Sequence, residues 1–191
     1  MSKIGDILKH IFVTQTKGFI DVSQKKDFWS QFATENNGLF KVIHTVSYDL
    51  ASFNLKIPLE NGSIEFSESD AHPFKVVCEI DSDKQVEFSI IKKDFISNIF
   101  NIFTQQKRSL NPEFDKRYTV KCKKGDIFGY ILKNESITPL ILKTNIYSII
   151  CWSGNKEPKI AITGVGIVNS LNEMQDIYSL FQIIISRMEK L

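Results

Sequence analysis

Four side chains that could bind a metal ion or transfer protons lie within one short segment, at Glu65, Glu68, Asp70 and His72. Carboxylates and an imidazole can share a divalent ion or act as acid and base, as a small metal-dependent hydrolase would require. No ligand group elsewhere in the chain has a recognisable metal-site spacing relative to them. We therefore favour a solvated acidic loop, which predicts no metal, cofactor or catalytic residue, and keep the hydrolase as an alternative.

A second group of residues could bind anions. Arg117, Lys121 and Lys123 occupy odd-numbered positions, so one strand would carry all three on the same face. They could contact the phosphates of nucleic acid or of an anionic membrane surface. The formal net charge is only +2, and this stripe has no exposed aromatic residues that could stack on bases. We favour an ordinary solvent-facing strand, which argues against nucleic acid. Other basic residues that folding could bring nearby are Lys92, Lys93, Lys107 and Arg108.

Composition places the chain among ordinary globular proteins. Of its 191 residues 42% are hydrophobic and 24% charged, which is enough to build an apolar core. Three cysteines, Cys78, Cys122 and Cys151, lie far apart, which predicts buried, reduced thiols. No apolar run approaches the roughly 20 residues of a membrane span. We expect a soluble, cytoplasmic protein, and the abundance of Asn, Lys and Ile suggests an AT-rich bacterial genome.

Two sequence patterns predict hairpins that would position these residues. Apolar and polar residues alternate over positions 53–59, and Asn61-Gly62 follows as a strong two-residue turn signal. A turn there would pair Leu59 with Ile64 and Ile57 with Phe66, with all four side chains on one face. Residues 74–80 and 86–90 repeat the alternation, which predicts a second hairpin across the loop at 81–84.

The segment that follows predicts a turn at Asn111-Pro112 and then a strand from Arg117 to Lys123. An apolar helix pattern precedes it and a further helix pattern follows. The strand opening contains Phe114, Asp115, Arg117, Tyr118 and Val120. With these residues, the arrangement over positions 95–142 resembles a bacterial domain of unknown function that is often found in membrane-anchored proteins. That domain has no assigned active site, so the resemblance implies a fold and no catalytic residue. This sequence departs from the domain's pattern because it lacks the preceding transmembrane helices.

The end of the chain predicts a long helix that packs across the sheet. Ser170 and Glu173 form a capping-box pattern, and apolar residues recur at helical spacing over positions 171–188. Because strands come in hairpins and helices in separate blocks, the predicted class is α+β with a mainly antiparallel sheet. We expect one domain over residues 1–191, with a helical segment at 1–38.

These patterns lead to a functional hypothesis without a catalytic motif. We interpret the chain as a non-catalytic module that acts through contacts with an unknown protein partner, with a homodimer as one form of this. The apolar helical pattern at residues 4–12 is a candidate contact segment, because chain termini are weakly attached.

Overall fold

The computed structural model describes residues 22–45, 50–69, 72–82, 86–93, 105–107, 111–122, 131, 135–153 and 159–190. The candidate contact segment at 4–12 lies outside the described residues. The helices with described bounds are α1 (Val22–Glu35), α2 (Pro112–Arg117), α3 (Ile137–Lys143) and α4 (Leu171–Glu189). The strands are β1 (Leu39–Thr45), β2 (Leu50–Leu59), β3 (Gly62–Ser69), β4 (His72–Asp81), β5 (Phe88–Lys92), β6 (Gln105–Lys107), β7 (Tyr118–Cys122), β8 (Ile146–Ser153) and β9 (Lys159–Gly166).

The described strands form one sheet in the order β1-β2-β3-β4-β9-β8-β5-β7-β6, and each neighbouring pair is antiparallel. Strands β1 to β4 follow one another as hairpins, and β8 and β9 form a further hairpin. The α+β class with a mainly antiparallel sheet and a long C-terminal helix is therefore confirmed. Strands β1 and β6 lie at the two ends of the strand order.

Helices α1 and α4 cover one side of the sheet, which we call the inner face. Trp29 of α1 packs against Phe53 of β2, with ring centroids 5.5 Å apart. Phe32, nearly one turn later, contacts Phe66 of β3 at 5.5 Å and Tyr178 of α4 at 5.6 Å, both edge to face. Aromatic pairs in this geometry add to the stabilisation from burial alone. Aromatic side chains thus join the two helices to the sheet.

Helix α4 lies on the inner face as predicted. It begins after Ser170, whose Oγ accepts a hydrogen bond from the N–H of Glu173 at 3.3 Å. The side chain of Glu173 accepts a hydrogen bond from the backbone N–H of Asn169 at 2.7 Å. In a capping box this bond would come from the N–H of Ser170, so the pattern is present with its second donor one residue earlier. The buried residues of α4 are Met174, Ile177, Tyr178, Leu180, Phe181, Ile184, Ile185 and Met188.

The predicted register of the first hairpin is wrong by two residues. Leu59 lies opposite Gly62, and Ile57 lies opposite Ile64, so residues 60 and 61 form the turn. Gly62 has a φ of 154°, and a Cβ at this position would overlap the backbone oxygen of Glu79 on β4. Glycine is therefore required inside the strand rather than in the turn. Because the shift is an even number of residues, the same side chains stay on the inner face.

The predicted pairing of the second hairpin is also wrong. Strand β4 pairs with β3 and β9, whereas β5 pairs with β7 and β8. The β8–β9 hairpin lies between them, with Cys78 of β4 opposite Ile162 of β9. The alternation in residues 74–80 and 86–90 determines which side chains are buried. It does not determine which strand becomes the neighbour, because that choice depends on residues far along the chain.

The segment from Asn111 forms a helix where the sequence predicts a turn. Asn111 caps α2, and its Oδ1 accepts hydrogen bonds from the N–H groups of Glu113 at 3.0 Å and Phe114 at 3.2 Å. Pro112 occupies the first turn, where the missing N–H has no cost. Strand β7 begins at Tyr118, so Arg117 belongs to α2 and not to the predicted strand.

Candidate functional site

The structure separates the two glutamates of the predicted acidic cluster. Glu65 and Glu68 are three residues apart on β3, so their side chains point to opposite faces of the sheet. Glu65 is exposed and its Oε1 accepts a hydrogen bond from Nζ of Lys56 at 2.6 Å. Glu68 is buried on the inner face, where its Oε1 lies 2.6 Å from Nζ of Lys25 in α1. Because the sheet lies between them, one metal ion or substrate could not contact both carboxylates.

Of the other two members of that cluster, Asp70 lies outside the described residues. His72 is exposed at the start of β4, and its backbone N–H donates a hydrogen bond to Oγ of Ser69 at 3.1 Å. Within the ranges that the structure describes, no three His, Cys, Asp or Glu side chains are grouped so that they could hold a metal ion.

The predicted basic stripe is divided between two elements. Arg117 ends α2 and its Nη2 lies 2.9 Å from Oε1 of Glu113, one turn earlier in the same helix. Lys121 lies in β7, opposite Ser89 of β5 and Gln106 of β6. Lys123 lies outside the described residues. Arg117 and Lys121 therefore do not share a strand face, and Arg117 is engaged by a carboxylate.

A different set of lysines shares one side of the sheet, the side away from α1 and α4. Across β1 to β4, Lys41 lies opposite Asn54, Asn54 opposite Ser67, and Ser67 opposite Lys75. Residues directly opposite in an antiparallel sheet point to the same side. This polar row therefore runs across four strands with a lysine at each end.

A second row runs beside the first and has apolar ends. Leu39 lies opposite Lys56, Lys56 opposite Glu65, and Glu65 opposite Val77. The two rows enclose a shallow depression of about 330 Å³. We call this surface the lysine face. Its outward-facing lining residues are Leu39, Lys41, Asn54, Lys56, Glu65, Ser67, Lys75 and Val77.

The lysine face ends where the sheet passes to β9. Thr163 and Val165 of β9 lie opposite Val77 and Lys75, so they point to the same side of the sheet. Both are buried, with 2% and 1% of their surface exposed. On this side the four strands β1 to β4 are therefore open, whereas the next strand is covered. The open area is a defined surface rather than the whole side of the sheet.

The lysines of this face differ in their electrostatic surroundings. Lys75 is half-buried, and burial lowers the pKa of its amino group, while the negative charge of Glu65 acts in the opposite direction. The hydrogen bond from Lys56 to Glu65 raises the pKa of Lys56. Lys41 is exposed on β1 and makes no ion pair with the part of the chain that the structure describes.

Two large apolar side chains on β1 border the lysine face. Leu39 is 69% exposed and Ile43 is 54% exposed, and they are the exposed large hydrophobic residues within the described ranges. They flank Lys41 at alternate positions, so all three side chains point to the same side. The sequence carries this alternation as Leu39-x-Lys41-x-Ile43. It gives no sign that the strand would lie at the end of the sheet, and so this surface could not be identified from the sequence alone.

The buried thiols offer no activated nucleophile. Burial raises the pKa of Cys78 to about 12 and also raises the pKa of Cys151 above its ordinary value. A cysteine attacks as its thiolate, so both thiols stay protonated and unreactive near neutral pH. Cys122 is also buried. The burial of all three thiols agrees with the sequence prediction.

No family model, curated protein or solved structure matches this chain. The resemblance of residues 95–142 to a bacterial domain therefore stays a prediction. None of the described helices combines the length and apolar character needed to cross a bilayer.

Proposed function

We propose that this chain is a cytoplasmic, non-catalytic module that binds another protein through the lysine face and strand β1. The observation that carries the proposal is the pair of exposed apolar side chains, Leu39 and Ile43, placed on either side of Lys41. Single exposed apolar residues are normal on protein surfaces, but two on one face of an end strand, next to a polar depression, form a composite surface. Apolar contacts surrounded by charged and polar groups are the usual composition of a protein interface.

The distribution of charge favours a protein partner over nucleic acid or an anionic membrane. Glu65 stands within the lysine face and is bonded to Lys56, and exposed Glu79 is near enough to influence Lys56. A polyanion would approach these carboxylates as closely as the lysines, and repulsion would offset the attraction. A protein surface can place acidic groups at Lys41 and Lys75 while avoiding the two glutamates.

The hydrolase alternative is less well supported by this geometry. Its two glutamates point to opposite faces, and Glu68 is held by Lys25 at 2.6 Å on the inner face. His72 is exposed on β4. The open surface with apolar and charged groups supports binding of a partner, whereas Glu65 and Glu68 of the predicted acidic cluster point to opposite faces.

The proposal can be tested by affinity capture with a matched pair of variants. The chain is immobilised and incubated with a lysate of the organism that encodes it, and bound proteins are quantified. We expect the double variant Leu39→Thr/Ile43→Thr to lose a specific partner that the wild type captures. Threonine keeps the strand preference while removing apolar contact area.

The control is Ile183→Thr, which removes an apolar side chain from the partly exposed side of α4. It should capture the same partner as the wild type. Equal capture by all three proteins, or capture of no specific protein by the wild type, would contradict the proposed surface.

A further inference from the structure

Strand β1 lies at the end of the sheet and has a neighbour on one side only among the described strands. It pairs with β2 through all of its residues, from Leu39 opposite Lys56 to Thr45 opposite Leu50. An end strand presents a row of backbone N–H and C=O groups that can pair with another extended chain. Proteins often protect such edges with charged residues, and Lys41 at the centre of β1 is the one outward-facing charge on this strand.

The side chains of β1 define what could lie beside it. An antiparallel strand added to this edge would place its residues directly opposite Leu39, Lys41 and Ile43. Cross-strand pairs are favourable when an apolar residue faces an apolar one and when opposite charges face each other. The complementary sequence on this face is therefore apolar–x–acidic–x–apolar.

The side chains of β1 on the inner face also favour an added strand. Phe40 stacks on Trp29 of α1 with centroids 5.8 Å apart, and it contacts Phe53 at 5.6 Å. Phe40 and Val42 are only partly buried, so an apolar margin remains at the end of the inner face. The intervening residues of an added strand would lie against this margin. Both faces of β1 thus offer contacts to an extended segment, while Phe40 and Trp29 hold the strand in position.

We propose that the occupant of this edge is an extended segment of another protein with the pattern apolar–x–acidic–x–apolar, which pairs antiparallel with β1 as an additional strand. This inference rests on the proposed function and specifies its partner. The backbone hydrogen bonds would supply affinity, and the residue opposite Lys41 would supply selectivity.

A second copy of the chain fits this edge less well. A symmetric antiparallel pairing of two β1 strands can place Leu39 against Ile43 of the second copy in one register. That register is centred on Lys41, so it also places the two Lys41 side chains directly opposite each other. Like charges in this position are destabilising. An acidic segment of a different protein satisfies the apolar contacts without this repulsion.

The test is a charge swap between Lys41 and a synthetic peptide. Two fluorescent nine-residue peptides of threonine and serine carry valine two positions before and after the centre, and either glutamate or lysine at the centre. Binding to the full chain is followed by fluorescence anisotropy. We expect the wild type to bind the glutamate peptide at least about fivefold more tightly than the lysine peptide. The variant Lys41→Glu should reverse this order.

The matched control is Lys26→Glu, which changes the net charge equally on the exposed side of α1. It should keep the wild-type order, because Lys26 lies on another element. Hydrogen exchange should show that the bound glutamate peptide protects amides within residues 39–45. Equal binding of both peptides, an order that Lys41→Glu leaves unchanged, or dissociation constants above about 1 mM for both would overturn the added-strand proposal.

These outcomes are separable from failure of the proposed function. If Leu39→Thr/Ile43→Thr loses a captured partner while no peptide binds, the lysine face is an interface for a folded surface rather than for an extended segment. If a second copy occupies the edge instead, the wild type will sediment as a dimer and Lys41→Glu will not bind the lysine peptide.

Discussion

Nζ of Lys25 lies 2.6 Å from Oε1 of Glu68 and 2.9 Å from the carbonyl oxygen of Val168, so one ammonium group joins three parts of the fold. Lys25 belongs to α1, Glu68 to the end of β3, and Val168 to the connection between β9 and α4. Only 16% of the lysine side chain and 5% of the glutamate side chain are exposed. The pair therefore positions the helix whose Trp29 and Phe32 pack on the strands behind the lysine face.

Removing Lys25 should destabilise the fold substantially. In Lys25→Met the apolar stem is kept, but the carboxylate of Glu68 stays buried without this ammonium group, and breaking such a buried pair costs about 3 kcal/mol. Urea denaturation measures the change in the free energy of unfolding. Lys56→Met is the control, because it breaks the exposed pair with Glu65 at the same 2.6 Å distance. It should cost much less than Lys25→Met, because solvent screens the exposed pair. Equal losses in the two variants would contradict a structural role for the buried pair.

Gly164 should tolerate no side chain, because α4 approaches β9 closely at this point. A Cβ there would lie 2.8 Å from Cζ of Phe181 and 2.9 Å from Cγ1 of Val76. Gly164→Ala should therefore cost about 1–3 kcal/mol through overpacking. Thermal or urea unfolding of Gly164→Ala, Phe181→Leu and the double variant tests the cause. The alanine should cost less in the Phe181→Leu background, and strictly additive losses would exclude a clash with this ring.

The local pattern of apolar and polar residues predicted the elements whose structure depends on residues close in sequence. The buried stripe of α4 follows from periodicity within one segment, and Ser170 caps α4 as its spacing indicated. Each of these features involves residues that are close in sequence.

The sequence could not predict features that depend on strand order. The pairing of β4 with β9 joins Cys78 to Ile162, and the pair of Lys25 with Glu68 spans 43 positions. The lysine face depends on the registers of four strands together. Glu65 and Glu68 are close in sequence only, because the period of two in a strand places them on opposite faces.

Stability at alkaline pH should depend on Tyr118. Its hydroxyl donates a hydrogen bond to the carbonyl oxygen of Ile146 at 2.9 Å, and burial raises the pKa of its phenol above the ordinary value of 10.0. Above about pH 10 the unfolded chain releases this proton while the folded chain retains it. The unfolded state then binds fewer protons, so stability falls as the pH rises through this range.

The variant Tyr118→Phe tests this dependence. It should cost about 1 kcal/mol near pH 7 through the lost hydrogen bond. It should also lose less stability than the wild type between pH 9 and about pH 11, because the titrating phenol is gone. Urea denaturation at each pH measures both effects. Parallel curves for the two proteins would show that Tyr118 does not contribute to the alkaline transition.

Leu39 and Leu55 offer a matched comparison between surface and core, because both are leucines in neighbouring strands. Leu39 is 69% exposed on β1, whereas Leu55 is 1% exposed on β2. Leu39→Thr should change the free energy of unfolding by no more than about 0.5 kcal/mol, since little apolar area leaves the core. Leu55→Thr should cost at least about 2 kcal/mol, because it removes buried methyl groups and buries a hydroxyl. Urea denaturation of both variants provides the measurement. A large loss of stability in Leu39→Thr would mean that this leucine supports the fold, and its exposure could then no longer be attributed to partner binding.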